Sequence, residues 1–462
     1  MSRGSRASVA ASAARVVGAL GAAMAIAFAV PAVVAAHTVN ATYASRLPLA
    51  VYVVGAAVTV ALSFIFVIVR DVRAAPPDLT AEGHLPPAWI RWPLRALGLV
   101  GWTWIVAQGI AGGSSDGDVA TLFLWVYGWV GLAIVCAIIG PAWQFLDPFS
   151  TIHDIGAAIL RALHIEGWDV ADYPSALGRW PATAGFAFFV WLELVVQAGP
   201  SILFIVLIGY TALTVAMMAQ FGRDEWRSQA ETFTVWFRLL GRLAYWRLVD
   251  EEGRVHKRSF GSGLLEPGWT AADVTLVALG VSSIIFDGLS QTQPFFDLFG
   301  APGIAGKTVL LVGFLGIVVL LAFAVARTVG MGAIGAGLLP IALGYLIAHY
   351  LTYLLIDGQR ILIAISDPFN KGANYFGTVF FEPTGAWLPP GLVWTVQLAA
   401  VVGGHMLGAW GGHVVAAADA PPDISAQALR RRQIPLAHVM IELTTLTLWS
   451  LGQAIIVTPP TT

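Results

Sequence analysis

Residues 331–356 read MGAIGAGLLPIALGYLIAHYLTYLLI. The run carries no Asp, Glu, Lys or Arg, and its one histidine is His349. A helix needs about 20 mostly apolar residues to cross the hydrocarbon core of a bilayer. It is the default spanning structure because its backbone polar groups pair within the segment. This stretch therefore reads as a membrane-spanning helix. Comparable runs lie on both sides, giving ten in all: Pro48–Val69, Trp92–Ala111, Val119–Ile139, Pro181–Gln197, Ser201–Gln220, Ala271–Leu289, Thr308–Ala326, Met331–Ile356, Pro390–Gly412 and Pro435–Ile456. The expected fold is all-α, a polytopic integral membrane bundle of about ten transmembrane helices. Composition agrees, with 57% hydrophobic and 11% charged residues against roughly 25% charged in soluble domains.

An eleventh apolar run, Val16–Ala36, follows Arg3, Arg6 and Arg15 and closes on Val34-Ala35-Ala36. A basic n-region, an apolar h-region and small residues at the close mark a signal peptide or an uncleaved signal anchor over 1–36. Residues 37–462 then form a single transmembrane domain, divisible into two five-span halves, 37–265 and 266–462. With the extreme N-terminus cytoplasmic, all but Arg46, Lys307, Arg360 and Lys371 of the 25 Lys and Arg fall in cytoplasmic segments. The positive-inside rule selects that orientation. It places the mature N-terminus and the C-terminus on the extracytoplasmic side.

The net charge of −2 and the lack of a basic domain give no reason to expect a nucleic-acid partner. No G-x-x-x-x-G-K-[ST] or G-x-S-x-G motif occurs, so the chain offers neither an ATP site nor a nucleophile elbow. The single cysteine, Cys136, excludes an intramolecular disulfide. Two long cytoplasmic connections, 148–165 and 224–247, carry apolar residues at helical spacing and are expected to lie on the membrane surface. Leu146-Asp147-Pro148-Phe149-Ser150 and Ser366-Asp367-Pro368-Phe369-Asn370 are five spans apart. They would face opposite sides, as in an inverted repeat. Gly404, Gly408 and Gly412 form overlapping G-x-x-x-G steps, which allow close helix approach and point to a central ninth span.

Ionisable groups inside spans are costly and mark functional sites. Here they are Glu193, Asp287, His349, Asp357 and His405, with Gln197, Gln291, Gln359 and Gln397 as neutral companions. Glu193, Asp287, His349 and Asp357 fall in the outer third of three different spans, which indicates one outward-opening polar cavity. A carboxylate and an imidazole converging there can bind a divalent metal or run acid–base chemistry. The expected ligand set is His37, Asp287, His349 and His405 around Zn or Cu, with His37 entering as a mature N-terminal residue.

Several landmarks recur in order: Ala36-His37; Leu177-Gly178-Arg179-Trp180-Pro181 leading into Trp191-Leu192-Glu193-Leu194; Phe286-Asp287-Gly288-Leu289-Ser290-Gln291; Ala348-His349-Tyr350; Gly358-Gln359; Ser366-Asp367-Pro368; and Gly404-His405. Through them the chain resembles a family of bacterial multi-pass membrane proteins, the fenitrothion hydrolase family. The resemblance implies an inner-membrane location and hydrolysis of the P–O-aryl bond of an organophosphate triester, a small lipophilic substrate. Asp357 departs from the family pattern. The expected catalytic residues are Asp287, His349 and Glu193. The alternative is a secondary transporter or metal-handling permease using the same polar groups.

Overall fold

The computed structural model describes residues 54–55, 57–59, 61–62, 77–165, 170–421 and 423–451. The 1–36 segment, His37 and most of the expected first span lie outside the described residues. Helices follow in the order α1 (Ala88–Ala111), α2 (Val119–Ile138), α3 (Trp143–Leu146), α4 (Pro148–Ala162), α5 (Trp180–Val196), α6 (Pro200–Phe221), α7 (Arg223–Gln229) and α8 (Thr232–Leu240). A short antiparallel hairpin, β1 (Trp246–Leu248) and β2 (Val255–Lys257), comes next. The chain continues through α9 (Ala271–Ser290), α10 (Gln293–Phe299), α11 (Ile304–Val329), α12 (Met331–Ile356), α13 (Ile361–Ser366), α14 (Pro390–Ala418) and α15 (Ala426–Leu451).

Among the described residues, seven helices are long and apolar enough to cross a membrane: α1, α2, α6, α9, α11, α14, and α12 running on into α13. The apolar helix α5 is shorter. These eight match the second to ninth expected spans within a few residues. The last expected span, Pro435–Ile456, overlaps α15, which starts earlier, at Ala426; its final residues fall outside the described set. Local chemistry sets the boundaries. Gly112, Gly222 and Gly330 follow helix ends at positive φ, where no Cβ penalty applies. Thr270 and Asp273 form a reciprocal capping box at the start of α9. Asp147 caps α4, with Pro148 at its first position.

The connections sort into two ends. At one, Tyr245 and Trp246 bond back to the last turn of α2, His84 pairs with Val255, and Arg179 meets Asp273. At the other, Trp104 and Lys371 tie α1 to the 367–389 loop, and Arg360 pairs with Asp116. Of the described Lys and Arg, all but Lys307, Arg360 and Lys371 belong to the first, arginine-rich end. The two Asp-Pro copies lie at opposite ends: Asp147 caps a helix, whereas Asp367 accepts from the Lys371 and Gly372 amides of a loop.

Helices α9 and α12 are the most enclosed of the spanning set, each with 83% of its apolar window buried. Lipid tails give little hydrophobic drive between helices, so close backbone packing matters. A Cβ on Gly408 would stand 2.3 Å from the Gly337 carbonyl, and one on Gly404 2.6 Å from that of Pro340. The ninth span is not central, however. Only 33% of the α14 window is buried: its glycine face lies on α12, and residues such as Met406 point outward.

A second expectation also fails. The 148–165 connection does form an amphipathic helix with Ile155, Ile159 and Leu163 exposed. In contrast, α8 is enclosed, with Phe233, Trp236 and Phe237 buried. Trp236 packs against Phe186 and leaves no room for a side chain on Gly280, midway along α9. The α7–α8 pair is therefore tucked into the bundle, because its large aromatics find partners there rather than on a surface.

Candidate functional site

Asp287 lies in the last turn of α9, and His349 and Tyr350 lie two turns from the end of α12. The structure brings them together. The His349 Nε2 is 2.9 Å from Asp287 Oδ2, the Tyr350 hydroxyl donates to the same oxygen at 2.9 Å, and Gln291 Nε2 donates to Oδ1 at 2.8 Å. The pair is largely enclosed, with side chains 9% and 15% exposed. An ionised carboxylate only accepts, so His349 presents an Nε2 proton to it, and in the neutral ring Nδ1 is then the acceptor. Gly288 keeps that edge clear: a Cβ there would lie 3.7 Å from His349 Nδ1 and 3.5 Å from Ser450 Oγ.

Glu193 reaches the same neighbourhood from α5, where it interacts electrostatically with Asp287 and Tyr350. It sits on a π-helical turn, Leu192–Val196, that ends at Gln197 in the left-handed region (φ 49°). Such widened turns are uncommon and concentrate at functional sites. Apolar content alone could not reveal that turn.

Of the other two expected ligands, His37 lies outside the described residues and His405 does not join; nor do the polar groups Asp357 and His413. His405 is fully buried, with Nδ1 2.8 Å from the Val401 carbonyl and Nε2 3.4 Å from the Tyr345 hydroxyl. Asp357 pairs with Arg360. His413 bonds Gln433. Among the described residues, no group of three or more His, Cys, Asp or Glu side chains could hold a metal ion. Of the four expected Zn or Cu ligands, only Asp287 and His349 meet among the described residues.

A second buried polar group was missed by sequence reasoning. Arg227 Nε is 3.2 Å from Asp147 Oδ2, with side chains 3% and 1% exposed. Glu231 caps α8 through the amides of Phe233 and Thr234 and accepts from the Tyr210 hydroxyl. The available signal was a carboxylate directly before a short apolar run, the pattern of an N-cap. Nearby, Arg95 and Arg223 converge on Asp154. Partial burial opposes ionisation of Asp154, but His153, Arg95 and Arg223 outweigh it and hold its carboxyl well below the usual range.

No protein-family model, curated protein or solved structure matches this chain.

Proposed function

We propose that the chain is a membrane-embedded hydrolase whose working pair is Asp287 and His349. One observation carries this reading: Asp287 accepts from His349, Tyr350 and Gln291 at once, which fixes the ring and turns Nδ1 away from the carboxylate. A carboxylate-oriented imidazole is the standard form of a general base. In the proposed reaction, water attacks the electrophilic centre of a lipophilic ester and gives its proton to Nδ1. The bond to the leaving aryloxide breaks, and the aryloxide departs with the electron pair. Asp287 stabilises the imidazolium that forms. Glu193 is a second carboxylate near the site through which that proton can pass onward. The substrate class implied by the resemblance to the fenitrothion hydrolase family is an organophosphate triester. Every step here uses side chains of the described residues.

We infer from the positive-inside rule that the arginine-rich end is cytoplasmic. The Asp287–His349 pair then lies nearer the extracytoplasmic face of a bacterial inner membrane. A second reading, a secondary transporter, is favoured by the tucked α7–α8 pair and the capped helix starts at Asp147 and Glu231, which resemble broken helices around an ion path. Two preparations separate the readings. A hydrolase releases phenol from an aryl dialkyl phosphotriester in detergent solution, with no gradient. A transporter shows substrate-dependent flux only in sealed vesicles and no phenol release, a result that would overturn the first reading.

A further inference from the structure

A cavity of about 310 Å³ opens at the arginine-rich end between α8, the β-hairpin and the 258–266 segment. Arg179, Arg238, Arg242, Arg247 and Arg258 line it, against Asp250, Glu251 and Glu266. The carboxylates are oversubscribed. Glu266 serves both Arg247 and Arg258, Glu251 serves both Arg227 and Arg238, and Asp250 is engaged by Arg254. Arg179 is matched by Asp273. Arg242 makes no direct ion pair among the described residues: it donates to the carbonyls of Glu266 and Pro267, lies 4.2 Å over the Trp269 ring, and has Glu266 and Asp273 only at longer electrostatic range. Arg238 Nε is buried with no hydrogen-bond partner.

A partly buried guanidinium with no directly paired carboxylate is costly, and guanidinium forks match phosphate oxygens. We propose that this cavity binds one phosphate-type anion, held chiefly by Arg242 and Arg238. The cavity volume suits a single phosphate group with a small substituent. Burial, aided by the neighbouring Arg179 and Arg258, pushes the Arg242 guanidinium down to about 10 although Glu266 and Asp273 favour its charge. Its position at the end of the bundle allows two sources of the same chemistry, an anionic phospholipid headgroup or a free phosphate.

Thermal unfolding of the purified full chain in detergent tests this. The probes are inorganic phosphate at constant ionic strength, short-chain phosphatidylglycerol and short-chain phosphatidylcholine, on wild type, Arg242→Gln and Arg238→Gln. The expected result is a rise in Tm with phosphate or phosphatidylglycerol that is at least halved in both variants. A response to phosphate assigns a soluble anion; a response to phosphatidylglycerol but to neither phosphate nor phosphatidylcholine assigns a lipid. Equal shifts in wild type and variants, or no shift with any probe, would overturn the proposal. Should Arg242→Gln fail to fold, Arg238→Gln decides by itself.

Discussion

Asp287 spends both oxygens on His349, Tyr350 and Gln291, and that arrangement makes Gly288 informative. A methyl at Gly288 would meet its neighbours at 3.5–3.7 Å, ordinary contact distances, yet it would stand before His349 Nδ1. Gly288→Ala is therefore expected to fold with an unchanged melting temperature and to lose hydrolysis by at least tenfold. A variant as active as wild type would show that the Nδ1 edge is not where the reacting proton passes. Asp154 supports a separate expectation about pH. Its folded-state carboxyl is depressed by His153, Arg95 and Arg223. Its contribution to stability is thus present above the unfolded value of about 3.9 and fades as pH falls through the lower folded value. The stability gap between wild type and Asp154→Asn should be constant near neutrality and shrink on acidification below about pH 4. A gap independent of pH would contradict this assignment.

Helix identity was legible from the sequence wherever apolar length decided it, as in α9, α11 and α12. The convergence of Asp287 and His349 was legible too, because a membrane restricts where ionisable groups can sit. What escaped depended on contacts rather than composition. Nothing in Leu192–Val196 announces a π turn. The aromatics of α8 suit a membrane surface as well as a bundle interior, and tertiary partners such as Phe186, Phe189 and Gly280 decide between them. His405 was grouped with the site by its chemistry, although its ring turns to Val401 and Tyr345. The α12–α14 seam is the element most open to test. Gly408→Val would drive a side chain against the Gly337 carbonyl, and overpacking costs about 1–3 kcal/mol or more. The variant should melt several degrees below wild type in detergent, while Gly403→Ala, with open space at its Cβ, should not. Equal melting of the two would mean that the seam is looser than described.

Across the whole molecule, charge and chemistry lie at opposite ends: arginines gather at one, and the Asp287–His349 pair sits near the other. The proposed orientation can be read with impermeant maleimides, since Cys136 is the sole cysteine in the sequence and is buried. Lys371→Cys should label in intact cells and Arg254→Cys only after permeabilisation; the reverse pattern would invert the topology. The central claim is that a carboxylate-oriented imidazole performs the chemistry. Its most direct test is the rate of phenol release from an aryl dialkyl phosphotriester by purified wild type, Asp287→Asn and His349→Gln in detergent, each checked for unchanged melting. Wild type should turn over, and both variants should fall by about 10²–10⁴-fold, the usual worth of a positioned general base. Folded variants that hydrolyse the ester as fast as wild type, or a folded wild type with no turnover, would contradict it.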